Sequence, residues 1–186
     1  MRLEITNNFI TPQECNILNK WAYEGVDKKW IDQGISRKLF TTQRLTSRLY
    51  GDRFEYPQEA LDLSTRIRKF VGIDGYSIIN NHGKNGIVVS YTKPKGDVYK
   101  HKDPKELGMS ALRCNIITQN ADDGAELFVN DNKVDIKVGD LHCYLASDFE
   151  HYVTEVKGNT PRILWMFGAY VPLEDWENGT IKYGLS

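Results

Sequence analysis

His101 and Asp103, in the stretch VYKHKDPKEL, place an imidazole and a carboxylate one residue apart. Side chains on an extended segment alternate, so these two share a side and can chelate one metal ion. The pair is also short enough to occur in any polar turn, so its meaning depends on a third ligand. The chain has four histidines. His82 lies in the turn HGKNG without ligand neighbours, and His142, in DLHCYLAS, has no carboxylate of fixed geometry near it. His151 opens a strand-like run after the turn ASDFE, and eleven residues later Arg162 stands at the head of the apolar run RILWMFGAYV. Two histidines and one carboxylate make a face that holds non-haem Fe(II) and leaves three adjacent positions open. A bidentate 2-oxo acid can take two of these and dioxygen the third. The distal carboxylate of such a co-substrate needs a buried cation, and the planar fork of an arginine suits it. A lone Arg162 in an apolar strand is a candidate for that cation.

Other polar residues near the motif have plainer readings. Asp97 and Glu106 are expected to be solvated loop charges. Tyr99 shares a strand face with His101 and either lines the site or simply packs. Trp165 is expected in the core.

These residues must be positioned by a scaffold, and the chain has texture for one. Thr11, Pro12 and Glu14 form a capping box with proline at the first helical position, and Leu18, Trp21 and Ala22 continue an apolar stripe to Gly25. A second helix begins after Tyr56, with Ala60, Leu61, Ser64, Ile67, Phe70 and Val71 as its buried face and Gly72 as its stop. Between them GISRKLFTTQRLTSRLYGDRF carries five basic residues, read as one or two edge strands and a loop. Residues 37–53 are either a substrate-facing lid or a solvated edge that uses charge against aggregation. From Gly75 the texture changes to short β-branched runs. YSIINN and GIVVSYT read as a hairpin, and ALRCNIITQN, AELFVN, KVDIKV, LHCYLAS, HYVTEV and RILWMFGAYV follow, separated by turn signals. This pattern predicts a mainly β fold with N-terminal helices, a jelly roll of the cupin-like kind.

With 186 residues and no linker or repeat, a single domain is expected: residues 1–74 as helical buttress and edge strands, 75–172 as the jelly-roll core, and 173–186 as a C-terminal tail. A net charge of −1 argues against a dedicated nucleic-acid binder. Three cysteines without C-x-x-C spacing read as free thiols, and no run is apolar enough for a signal or a span, so a cytoplasmic protein is expected.

The HKD motif, some fifty residues, then H-x10-R strongly resembles the Fe(II)/2-oxoglutarate-dependent dioxygenase superfamily. The resemblance covers roughly Val88 to Pro172 and implies a double-stranded β-helix core. VVSYTKPKGDVYKHKD is similar to the prolyl-hydroxylase-like pattern, which implies that Tyr91 lines the co-substrate pocket. LRCNIITQN with GAELFVNDNKVDIKVGD and SDFEHYV resembles the aspartyl/asparaginyl β-hydroxylase pattern, which implies that Arg113 or Asn115 touches the C1 carboxylate of 2-oxoglutarate.

The resemblance implies Fe(II) on His101, Asp103 and His151, and 2-oxoglutarate held at its C5 carboxylate by Arg162. It further implies decarboxylation to succinate and carbon dioxide, hydroxylation of an amino-acid, peptidyl or other small-molecule C–H bond, dioxygen as oxidant and ascorbate as a stimulant. Halogenases of the superfamily replace the metal carboxylate with a small residue, so Asp103 favours hydroxylation. Two rivals stand beside this reading. One is an AlkB-like nucleic-acid demethylase, which the basic 37–53 segment favours and the lack of a second arginine soon after Arg162 opposes. The other is a non-catalytic jelly-roll binding module.

Overall fold

The computed structural model describes residues 2–26, 31–32, 43–47, 55–79 and 86–184. Elements follow in the order β1 (Leu3–Thr6), α1 (Pro12–Val26), β2 (Ile31–Asp32), β3 (Arg44–Thr46), α2 (Gln58–Val71), β4 (Val88–Thr92), β5 (Val98–His101), β6 (Ser110–Gln119), β7 (Asp123–Gly124), β8 (Leu127–Val129), β9 (Asn132–Val134), β10 (Leu141–Leu145), β11 (His151–Val153), β12 (Val156–Lys157), β13 (Arg162–Val171) and α3 (Leu173–Glu177).

The capping box at the start of α1 forms as expected. Thr11 donates its backbone N–H to Glu14 Oε2 at 2.8 Å, and the Glu14 N–H donates to Thr11 Oγ1 at 3.2 Å. Pro57 precedes the first turn of α2 with extended backbone angles. Gly72, at φ +79°, closes that helix in the left-handed conformation, its N–H reaching the carbonyls of Arg68 and Lys69.

The strands build two main antiparallel sheets. The larger runs β1-β10-β6-β13-β4-β3-β2 and the smaller β5-β11-β8-β9, while β12 and β7 pair separately. In the larger sheet β1, β10, β6, β13 and β4 lie side by side although none of these neighbours is consecutive in the chain, which together with the β-rich content is the arrangement of a jelly roll. Helices α1 and α2 pack on one face of the larger sheet, burying Leu18, Ala22, Ala60, Leu63, Ile67 and Val71 against Leu112, Cys114, Ile116, Ile163, Trp165 and Phe167. Trp165 is in the core as expected, with Trp21 at 5.4 Å between ring centroids. The other face of the larger sheet looks toward the smaller one, and the cavity lies between them.

Three expectations change. Ile78 bridges Ala169 of β13, and the Tyr170 N–H donates to Ser77 O. Among the described residues the run before β4 therefore follows the same edge of β13 as β4 does, instead of pairing with β4 as a hairpin. The segment from 173 is also more than a tail: α3 forms after Pro172, and Trp176 and Ile181 are buried. Arg2 stacks on the Trp176 ring at 4.2 Å and donates to the Trp176 carbonyl at 2.6 Å, pinning the two ends of the chain together. Of the basic 37–53 segment, only the part around β3 lies within the described residues. There it is an interior strand, hydrogen-bonded to β4 on one side and β2 on the other.

All three cysteines are free and buried. Among the described residues, no helix is long and apolar enough to cross a membrane.

Candidate metal centre

Strand pairing brings the motif residues together. His151 on β11 sits directly opposite His101 on β5, and their ring centroids are 4.3 Å apart. Asp103 follows β5 at once, tied by its N–H to the carbonyl of Ala146 at 2.8 Å. The ligand atoms of His101, Asp103 and His151 all lie within 4.8 Å of one another. His101 and His151, 50 positions apart, thus meet because two short strands are in register.

The surroundings aim the donor atoms. His101 Nδ1 lies 2.8 Å from the carbonyl of Tyr99, and His151 Nδ1 lies 3.1 Å from that of Phe149. A carbonyl can only accept, so each Nδ1 donates its N–H there and each Nε2 faces inward, the nitrogen left to ligate a metal. Burial depresses the His151 pKa to about 4, with the His101 ring adding to the effect, so this ring is neutral at ordinary pH. Arg113 donates to Asp103 Oδ2 through both Nε and Nη2 at 2.6 Å. The other carboxylate oxygen, Oδ1, remains on the histidine side, 3.7 Å from His101 Nε2. Burial alone would raise the Asp103 pKa, but the Arg113 guanidinium and the two imidazoles outweigh it and hold the carboxyl well below its usual range. The donor set is therefore two imidazole Nε2 atoms and one carboxylate with one oxygen committed elsewhere. That fits a divalent metal bound on one face.

A cavity of about 670 Å³, counted with the open solvent at its mouth, extends from these residues between the sheets. Arg162 lines it at 2 % exposure. Burial drops the Arg162 pKa to about 10, partly offset by Tyr144. Among the described residues no carboxylate pairs with Arg162, and its Nε is buried without a hydrogen-bond partner. A charge buried in that way costs several kcal/mol unless a ligand completes it.

The remaining predicted residues divide. Asn115 lines the cavity. Arg113 lines it too, but its Nε and Nη2 are engaged by Asp103, so its placement supports orientation of a metal ligand rather than contact with a C1 carboxylate. Tyr91 requires a correction. It belongs to the helix-side core, in edge contact with Tyr23 at 5.6 Å, and does not line the cavity. Strand parity is the reason: Val88, Ser90 and Thr92 take the cavity face of β4, so Tyr91 must take the other. Tyr99 stacks on the His101 ring at 4.7 Å. Asp97 and Glu106 stand outside the ligand cluster, and His82 falls outside the described residues.

Three cavity residues had no functional reading in the sequence. Tyr144 pairs with Arg113 across β10 and β6 and meets the His151 ring edge-on at 5.3 Å; its phenol is pushed above its usual pKa, chiefly by burial. His142, on the same face of β10, is 1 % exposed. Arg44 lies on β3 beside Thr92, which faces Arg162 across its other edge, and donates its Nε–H to Ser90 Oγ at 2.6 Å. Alternation within strands could have flagged His142 and Tyr144 as one face, but nothing local says which face holds the cavity.

No protein-family model matches the sequence, and no curated protein does. Solved structures do match in three dimensions. A viral collagen prolyl hydroxylase from Paramecium bursaria Chlorella virus-1, in its 2OG complex, superposes with a TM-score of 0.65 at 15% identity, covering 92% of this chain and 96% of that one. A prolyl hydroxylase from Trichoplax adhaerens, in complex with a hypoxia-inducible-factor oxygen degradation domain peptide fragment, gives 0.66 at 15% identity, covering 90% and 83%. HygX from Streptomyces hygroscopicus, with nickel, 2-oxoglutarate and hygromycin B bound, gives 0.60 at 12% identity, covering 92% and 83%. The chain therefore has the jelly-roll fold that these hydroxylase and HygX structures share.

Proposed function

We propose that the protein is a 2-oxoglutarate-dependent non-haem iron dioxygenase that hydroxylates a C–H bond of an amino-acid, peptidyl or other small-molecule substrate. One observation carries this reading: a two-histidine, one-carboxylate face and a buried arginine with no carboxylate partner among the described residues line the same cavity. The fold neighbours add weight, because their bound ligands include 2-oxoglutarate with a metal.

His101, Asp103 and His151 would hold Fe(II), each turned inward by its own hydrogen bond. When bound, iron and 2-oxoglutarate supply the oxidising chemistry: the co-substrate and dioxygen are converted to succinate and carbon dioxide as the substrate gains one oxygen atom. The protein's part is placement. Arg113 draws Asp103 Oδ2 away and leaves Oδ1 for the metal. Arg162 would meet the distal carboxylate of 2-oxoglutarate with a fixed fork, and Tyr144 stands near enough to Arg162 to feel its charge. Val88, Leu164 and Met166 make the wall between apolar, which keeps water from the reacting atoms. A carboxylate at position 103 leaves no ligand position for halide, so hydroxylation is the outcome proposed. Ascorbate would act only to restore ferrous iron.

The test is succinate formation from 2-oxoglutarate by the iron-loaded protein, coupled to a gain of one oxygen across a panel of amino acids, peptides and small metabolites. Asp103→Ala and His151→Ala should reduce succinate to background. Undiminished turnover in either variant would remove that residue from the mechanism.

A further inference from the structure

We infer that His142 is a specificity residue for the co-substrate, presenting a neutral N–H donor to the distal carboxylate of a 2-oxo diacid beside Arg162. This rests on the metal and 2-oxoglutarate reading above and adds a residue to it.

The sheet register places His142 at the right depth. Arg113, which holds Asp103, is opposite Tyr144 on one side and Gly168 on the other. Two residues along β6, Asn115 is opposite His142 and Met166. Arg162 lies further along β13 in the same direction. A step of two residues in a strand is roughly 7 Å. His142 therefore stands one step beyond the metal end, on the way to Arg162, and its ring lines the cavity.

Its hydrogen bonding is incomplete in an informative way. Asn115 Nδ2 lies 3.4 Å from His142 Nε2. With the amide as donor, Nε2 accepts and the ring proton sits on Nδ1. Among the described residues, His142 Nδ1, Asn115 Oδ1 and Arg162 Nε are all buried without partners. Two N–H donors on one wall, both lacking an acceptor, suit an anionic oxygen group. Burial, reinforced by the nearby Arg162 charge, depresses the imidazole pKa to about 3. The ring thus offers direction without adding a charge. Arg162 alone would attract any anion, whereas a second, fixed donor restricts where the carboxylate can stand and so which chain length fits.

The experiment compares two 2-oxo acids with the same chelating head. Calorimetric titrations of Ni(II)-loaded wild type, His142→Ala and His142→Asn are run with 2-oxoglutarate and with pyruvate, which lacks the distal carboxylate. His142→Ala should weaken 2-oxoglutarate binding about ten-fold or more, as for a lost hydrogen bond to a charged group, and leave pyruvate unchanged. His142→Asn, which keeps an N–H near the position of Nδ1, should recover part of the loss. Equal weakening of both acids would mean a merely structural role, and unchanged 2-oxoglutarate binding would mean no contact; either overturns the inference while leaving the parent reading intact. A wild-type protein that binds pyruvate and 2-oxoglutarate equally would also overturn it. A wild type that binds neither would overturn both readings.

Discussion

The two faces of the larger sheet are made by the same strands, yet they obey different rules. Along β13, Ile163, Trp165 and Phe167 face the helices, while Arg162, Leu164 and Met166 face the cavity. Along β6, Leu112, Cys114 and Ile116 lie on the helix side, whereas Arg113 and Asn115 alternate with them toward the cavity. Both faces are buried to a similar degree, with every residue of β13 classed as buried. One face is filled with apolar side chains that satisfy each other by contact. The other collects guanidinium, imidazole and amide groups, several of which lack a protein partner. Buried polar groups without partners destabilise a fold, and four of those found among the described residues, on Thr46, Asn115, His142 and Arg162, line the same cavity, which locates a ligand site more surely than any single residue does.

That contrast can be broken from either side. On the helix face the largest effect is expected from Trp165→Ala, which should cost about 3–5 kcal/mol of stability. Denaturant unfolding would measure this, and 2-oxoglutarate turnover per folded molecule should survive. On the cavity face, Arg162→Met should do the reverse. It removes a buried charge that has no carboxylate partner among the described residues, so stability in the absence of ligand should hold or rise by about 1–4 kcal/mol, while 2-oxoglutarate binding is lost. A stability loss with intact binding would contradict the assignment of that face.

The smallest effect, taken per pH unit, is a pH slope. The folded pKa of His142, about 3, lies below the ordinary histidine value of about 6.5. Its contribution is fully present above the unfolded value and is lost as pH falls toward the folded one, at about 1.4 kcal/mol per pH unit. Metal-free wild type should therefore lose stability faster than His142→Asn on acidification below pH ~6.5. Parallel slopes would show that the buried imidazole is not held neutral.

The contrast also explains what could be read from the chain alone. The capping box, the stop at Gly72 and the placement of Trp165 follow from local rules, and all appear. The clustering of His101, Asp103 and His151 is legible because His-x-Asp fixes one half locally and His151 alone among the later histidines has suitable sequence surroundings. Tyr91 misled because motif spacing counts residues, while access to a cavity depends on parity along β4. His142 and Tyr144 carry no such signal, because their partners, Asn115 and Arg113, lie across a strand pairing that spacing cannot supply. The engagement of Arg113 by Asp103 was hidden for a similar reason: the two are ten residues apart on either side of a turn, and only the folded strands bring them to 2.6 Å. The C-terminal packing had a signal, since Pro172, the acidic first turn of α3 and Trp176 mark a short amphipathic helix.

The central claim is that His101, Asp103 and His151 bind one ferrous ion together. Anaerobic equilibrium dialysis of Fe(II) against wild type and His151→Ala tests it most directly. One iron per wild-type chain, with affinity reduced at least about 100-fold in the variant, is the predicted result. Equal iron retention by both proteins would contradict the account.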